Sequence, residues 1–125
     1  MAKKKKILLV DDEVDFRETM GKLFSRREVD FSLAESCMDA LEQIEHDDFD
    51  VVVMDVSMPG LDGLKCMAEM KKVHPHLEVI ILTGHASPHA GVAGIRKGAF
   101  DYCLKPIDFE ELLEKIMLAR KSLAE

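Results

Sequence analysis

Residues 51–63 read VVVMDVSMPGLDG. Four apolar residues, Val51 to Met54, end at Asp55, and the chain then meets Pro59-Gly60 and Asp62-Gly63, which are strong turn signals. A continuous apolar run of this kind, bounded by turns, predicts a strand buried on both faces. It leaves a carboxylate at the strand tip. Taken alone, Asp55 suits a turn residue, a helix cap, a metal ligand or a nucleophile, and the rest of the chain must decide among them.

Working outward, Ile7-Leu8-Leu9-Val10, Val79-Ile80-Ile81-Leu82 and a weaker Tyr102-Cys103-Leu104 have the same continuous character and are expected to be buried on both faces. The segment from Asp30 to Glu35 alternates apolar with polar residues and suits a strand nearer the edge, covered on one side. Helical periodicity fills the intervals. Phe16, Met20, Leu23 and Phe24 form one apolar stripe; Cys37, Ala40, Leu41 and Ile44 a second; Leu64, Met67 and Ala68 a third; Phe109, Leu112, Leu113 and Ile116 a fourth. Residues 86–97 form a weaker helix, because Gly91 and Gly94 each cost about 1 kcal/mol relative to Ala. It is expected to be the least stable. Asp108 followed by Glu111 gives a capping-box-like start to the last helix.

Five strands therefore alternate with five helices. Right-handed crossovers turn that alternation into a doubly wound α/β fold, a parallel sheet with helices on both faces, for which 2-1-3-4-5 is the common five-strand order. With 125 residues, 47% of them hydrophobic, the chain reads as one domain, residues 1–125, with no output domain and a core burying roughly two thirds of the unfolded surface. Lys plus Arg number 17 against 24 Asp plus Glu, and the net charge of −7 argues against direct nucleic-acid binding, which needs a basic face. The basic run Lys3 to Lys6 reads as a solvated, solubilising start. No stretch reaches the roughly 18 apolar residues of a membrane span, and residues 1–10 lack the pattern of a signal peptide, so a cytoplasmic protein is expected.

Cys37, Cys66 and Cys103 are odd in number and widely spaced, so neither a zinc site nor a disulfide is indicated and reduced thiols are expected. His85 and His89 stand four apart, as metal ligands on one helix face do, but no third ligand accompanies them.

In an open sheet of this order, ligands bind beyond the carboxyl ends of the strands, near the switch between the first and third. The first strand ends in Asp11-Asp12-Glu13, the third in Asp55, the fourth in Thr83-Gly84 and the fifth in Lys105-Pro106. Each has an ordinary reading as cap, turn former or surface amine. Together they bring carboxylates, a hydroxyl and an amine to one mouth, where clustered like charge is costly without a cation. Oxygen ligands of this type suit Mg²⁺.

On these residues the sequence resembles a two-component response regulator receiver domain, of the CheY-like superfamily, over essentially its whole length. The resemblance rests on Asp11-Asp12, the DxxMPGxDG-like run from Asp55 to Gly63, Leu82-Thr83-Gly84, and Lys105-Pro106 with the GAFDY run before it. It implies that Asp55 accepts a phosphoryl group from a phosphohistidine on a sensor kinase or phosphotransfer protein. It further implies that Asp11, Asp12, Asp55 and the backbone carbonyl of Ser57 hold Mg²⁺, that Thr83 and Lys105 engage the phosphoryl oxygens, and that Tyr102 is the switch aromatic. Members typically have a cis bond before the matching proline. Ser57 and His85 match positions that tune phosphoryl lifetime. Such a domain is no turnover enzyme; it catalyses its own phosphorylation and slow dephosphorylation. It then presents an altered surface of fourth helix, fifth strand and fifth helix to a downstream protein, or to a second copy as a phosphorylation-dependent homodimer.

Two rivals stand beside this reading. A haloacid dehalogenase-type phosphohydrolase also uses an aspartate nucleophile and Mg²⁺, but carries a DxD pair, whereas Asp55 is followed by Val56-Ser57. A binding-only pseudo-receiver would usually have lost site residues, and this chain keeps them.

Overall fold

Each apolar run is a strand in the computed structural model, which describes residues 6–56, 63–84 and 88–124, the side chains of 88–91 and 124 excepted. In chain order the elements are β1 (Lys6–Val10), α1 (Val14–Arg26), β2 (Phe31–Ala34), α2 (Cys37–His46), β3 (Phe49–Asp55), α3 (Gly63–Val73), β4 (Glu78–Thr83), α4 (Pro88–Arg96), β5 (Asp101–Leu104) and α5 (Phe109–Ala124). The sheet is parallel throughout, in the order β2-β1-β3-β4-β5. This is the expected α/β architecture.

Residues 7–10, 51–54 and 79–82 are wholly buried, because the three central strands are covered on both faces. Alternate side chains feed two cores, as the two-residue repeat of a strand requires. Leu8, Val10, Val52, Met54, Val79 and Ile81 pack beneath α2 and α3 with Met67 and Met70. Ile7, Leu9, Val51, Val53, Ile80 and Leu82 pack beneath α1 and α5, where Phe24 lies 5.6 Å from Phe31 and 5.5 Å from Phe109 between ring centroids.

Three expectations need correction. β5 is the second edge of the sheet rather than a strand buried on both faces: Cys103 is buried, but Tyr102 is half-buried and Leu104 is 38% exposed. In α3 the inward face is Gly63, Cys66, Met67 and Met70, and Ala68 points outward. The rotation of α3 follows from its first residue, since a Cβ on Gly63 would lie 2.6 Å from the Cα of Val56. Only glycine lets the helix begin so close to the end of β3.

In α4, Gly94 is a packing requirement as well as a cost to the helix: a Cβ there would meet Ile81 Cδ1 at 2.1 Å, so α4 lies close on β4. The expected start of this helix at 86 falls outside the described residues. Finally, Cys37 and Cys66 form a disulfide, and only Cys103 is a free thiol. Cys37 opens α2 and Cys66 lies in the first turn and a half of α3; these helices are neighbours on one face of the sheet, a proximity that a separation of 29 residues does not reveal.

The amino ends of the strands are closed by ion pairs. Lys6 Nζ lies 2.7 Å from Asp47 Oδ2, and Arg120 Nε lies 2.6 Å from Oδ2 of Asp50, which is 8% exposed. The last helix begins at an Asp108 cap, whose Oδ1 accepts the Glu110 and Glu111 backbone N–H groups at 3.0 and 3.3 Å, the expected half of a capping box.

Candidate functional site

At the opposite, carboxyl ends of β1, β3, β4 and β5 the topology gathers the polar residues. Register sets Asp55 beside Leu82 and Thr83 beside Leu104, while the backbone N–H of Lys105 donates to the Thr83 carbonyl at 2.7 Å. Four adjacent strand tips are thus held at one level. The Lys105-Pro106 bond that follows is cis.

Asp11 is completely buried and Asp55 is 3% exposed, which makes them costly charges. Lys105 answers both: its Nζ lies 2.7 Å from Asp11 Oδ2 and 2.8 Å from Asp55 Oδ2, with Glu13 Oε1 at 3.3 Å. Asp11 is further fixed by the Glu13 N–H, which donates to Oδ1 at 2.9 Å, and its carbonyl accepts from Arg17 Nη1 at 2.7 Å. Exposed Asp12 completes the group: one oxygen each of Asp11, Asp12 and Asp55 lies within 4.8 Å of the others.

Burial and neighbouring charge act together on Asp11 and Lys105. Burial raises the Asp11 carboxyl above its ordinary value, the hydrogen bonds from Lys105 and the Glu13 N–H offset this only in part, and the charge of Asp55 adds to the rise. Burial acts on Lys105 the other way, lowering its affinity for a proton, but the hydrogen bonds to Asp11 and Asp55 outweigh it and hold the ammonium charged far above neutral pH. Among the described residues, the carboxylates of Asp11, Asp12 and Asp55 outnumber the one ammonium that faces them. Hard oxygen ligands at such spacing, one of them open to solvent, fit a divalent cation that keeps several waters, as Mg²⁺ does.

Thr83 is 1% exposed, and its Oγ1 has no hydrogen-bond partner among the described residues. A buried hydroxyl left in this way costs about 1–3 kcal/mol. Its position on the strand next to Asp55 suits an acceptor that arrives with a ligand.

Asp11, Asp12, Asp55, Thr83 and Lys105 are therefore brought together as expected. Tyr102 stands one strand away, half-buried, its ring packed toward the α2–α3 core and 5.6 Å from Lys115 Nζ, which also donates to the Tyr102 carbonyl at 2.6 Å. Ser57 and His85 lie outside the described residues, as does the side chain of His89. Cys103 is buried, and burial pushes its thiol up to about 11, so it is inert at neutral pH. Arg17 and Phe16 escaped the reading of the sequence. Phe16 registered only as part of a core stripe, yet its ring lies against Lys105.

Residues 7–117 match the family described as response regulator receiver domain. Among curated proteins, the chain is 36% identical over 114 residues to the transcriptional regulatory protein ZraR of Escherichia coli (strain K12), covering 89% of this chain and 26% of that protein. It is 38% identical over 111 residues to the response regulator MprA of Mycobacterium leprae, covering 89% and 49%. The chain thus spans a quarter to a half of these relatives. Among solved structures, a response regulator receiver domain protein from Clostridium thermocellum superposes with a TM-score of 0.87 at 34% identity, covering 97% of this chain and 99% of that one. A CheY-like receiver domain protein from Methanospirillum hungatei JF-1 gives 0.88 at 26% identity, covering 98% of each.

No helix among the described residues is long and apolar enough to cross a membrane. With its 2-1-3-4-5 sheet and its acidic cluster of Asp11, Asp12 and Asp55, the chain belongs to the response regulator receiver domains of two-component signal transduction.

Proposed function

We propose that this domain takes a phosphoryl group onto Asp55 from a phosphohistidine of a sensor kinase or phosphotransfer protein. The observation that carries this reading is the composition of the mouth: a buried carboxylate at a strand tip, flanked by an ammonium at 2.8 Å and by a buried hydroxyl lacking a partner among the described residues. An Asp55 oxygen forms the new bond to phosphorus as the phosphorus–nitrogen bond breaks, and the electron pair leaves on the imidazole nitrogen.

Asp11, Asp12 and Asp55, with the Ser57 backbone carbonyl, would hold Mg²⁺. When bound, Mg²⁺ supplies positive charge against the phosphoryl oxygens, the principal need in phosphoryl transfer. Lys105 adds a second positive group, and the Thr83 hydroxyl donates to a phosphoryl oxygen and so gains the partner it lacks. This is positioning and charge neutralisation rather than acid–base chemistry.

The modification is read out on another face. Movement of Thr83 and Lys105 toward the new charge biases Tyr102 and the α4–β5–α5 surface, where Val92, Ile95, Leu104 and Leu118 are exposed apolar side chains. The partner is a downstream protein or a second copy. The acidic composition supports protein rather than nucleic acid as the contact of this domain. The domain is not a turnover enzyme; it catalyses its own phosphorylation and slow dephosphorylation, with Ser57 and His85 as the residues that set its lifetime.

Intact mass after incubation with acetyl phosphate and Mg²⁺ tests this. One added phosphoryl group is expected for the wild type, none without Mg²⁺ and none for Asp55→Ala. An adduct that survives Asp55→Ala would sink the assignment. Lifetime is tested by His85→Ala; an unchanged rate of dephosphorylation removes His85 from the mechanism.

A further inference from the structure

The stripe of α1 that includes Phe16 faces the core, but Phe16 occupies the first turn of that helix and is only half-buried. The Nζ of Lys105 lies 4.2 Å from its ring centroid, inside the roughly 6 Å over which a ring face attracts a cation. The same Nζ is the one that reaches Asp11 and Asp55 at 2.7 and 2.8 Å. The ammonium is thus held between carboxylates and a ring face.

We propose that Phe16 is a positioning residue for phosphoryl transfer, its ring face keeping the Lys105 ammonium aimed at Asp55. A lysine carries a compact charge on a long flexible stem, and the side chain of Lys105 keeps 17% of its surface exposed, so solvent-facing rotamers compete with the aimed one. The carboxylates restrain it only while their charge is uncompensated. A cation bound by Asp11, Asp12 and Asp55 weakens that hold, whereas the attraction of the ring is permanent. Phe16 itself is fixed by packing against the α1–α5 core and by its neighbour Arg17, which ties the start of α1 to the Asp11 carbonyl.

This inference rests on Asp55 as phosphoacceptor, and the experiment separates the two. Phe16→Leu keeps an apolar side chain but removes the ring face; Phe16→Tyr keeps the face. Each variant is followed for its rate of phosphoryl uptake from acetyl phosphate with Mg²⁺ and, free of metal, for the proton shifts of the Lys105 ε-methylene, which a nearby ring face moves upfield.

Phe16→Leu is expected to slow uptake roughly fivefold, the rate equivalent of one cation–π contact, and to release the upfield shift. Phe16→Tyr should restore both to within about twofold of the wild type. Wild-type uptake and an unmoved Lys105 shift in Phe16→Leu would overturn the proposal, as would a Phe16→Tyr variant as slow as Phe16→Leu. A wild type that takes up no phosphoryl group at all would instead overturn the phosphoacceptor reading, and this role with it.

Discussion

β3 buries an aspartate at each end, and the two are treated differently. At the amino end Asp50 meets the guanidinium of Arg120, with Nε at 2.6 Å from Oδ2 and Nη2 at 3.4 Å from Oδ1. A planar fork faces a planar carboxylate, and the pair is balanced. At the carboxyl end Asp55 shares the Lys105 ammonium with Asp11 and Glu13 while Asp12 stands alongside. Both ends place a charge where water is scarce. Among the described residues, carboxylates outnumber the cations that face them only at the carboxyl end, and that is the end proposed to react.

The largest effect that sharpens this contrast is covalent. Cys37 and Cys66 lie at the starts of their helices, on the same side of the sheet edge as the acidic cluster, so the charged end carries a disulfide brace while the amino end relies on ion pairs. With 29 residues between the cysteines, a chain-entropy treatment gives a loss of about 3–4 kcal/mol on removing the bond. Urea unfolding of the Cys37→Ala/Cys66→Ala double variant should show it; a difference below about 1 kcal/mol would leave the charged end without that brace.

Next comes the balanced pair. Arg120→Met strands the Asp50 carboxylate beneath an apolar side chain. Removing one partner of a fully buried pair costs about 3–5 kcal/mol, and because the Arg120 side chain is 26% exposed the expected loss is nearer 2 kcal/mol. Phosphoryl uptake on Asp55 should be unchanged. If Arg120→Met abolished uptake in a folded chain, the division between a structural and a reactive end of β3 would be wrong.

How much of this contrast could be read in the sequence follows the range of the forces involved. β1, β3 and β4 were legible because three continuous apolar runs admit one use in a parallel sheet, and the gathering of Asp11, Asp12, Asp55, Thr83 and Lys105 was legible because they lie at the carboxyl ends of those runs and of the weaker run of β5. What escaped depends on contacts between helices or between distant helix and strand positions. Arg120 finds Asp50 across 70 residues, and Cys37 finds Cys66 only because α2 and α3 lie side by side. The inward face of α3 turned on the approach of Gly63 to Val56, a steric fact that hydrophobic periodicity does not carry, so Ala68 was expected inside and Met70 was not. Phe16 satisfied its stripe and therefore hid its second contact.

A smaller effect concerns pH. The Asp11 carboxyl is raised by burial above its ordinary 3.8, so between that value and its folded one the native state binds more protons than the unfolded chain. The stability this contributes is fully present below 3.8 and is lost as pH rises through the folded value. Lys105, also raised in the folded state, contributes stability that is fully present below its ordinary 10.5 and lost as pH rises through its folded value. In metal-free protein, urea midpoints of the wild type relative to Asp11→Asn should therefore increase as pH falls toward 3.8. The opposite slope would mean that Asp11 is as well paired as a structural aspartate.

The smallest change tests the surplus itself. Asp12 is exposed, so Asp12→Asn removes one charge from the cluster without opening a cavity or stranding a partner, and the stability change should lie within about 0.5 kcal/mol. Relief of like-charge repulsion favours the variant in the absence of metal, whereas Mg²⁺ should stabilise it less than the wild type, because a ligand stabilises the folded state by RT ln(1 + [L]/Kd), which shrinks as Kd rises. The two effects have opposite signs, and melting temperatures with and without Mg²⁺ read both on one sample. A variant that loses stability without metal and responds to Mg²⁺ as the wild type does would show Asp12 to be a solvated helix-cap neighbour, and the uncompensated charge at this end of β3 would reduce to that of Asp11 and Asp55 around Lys105.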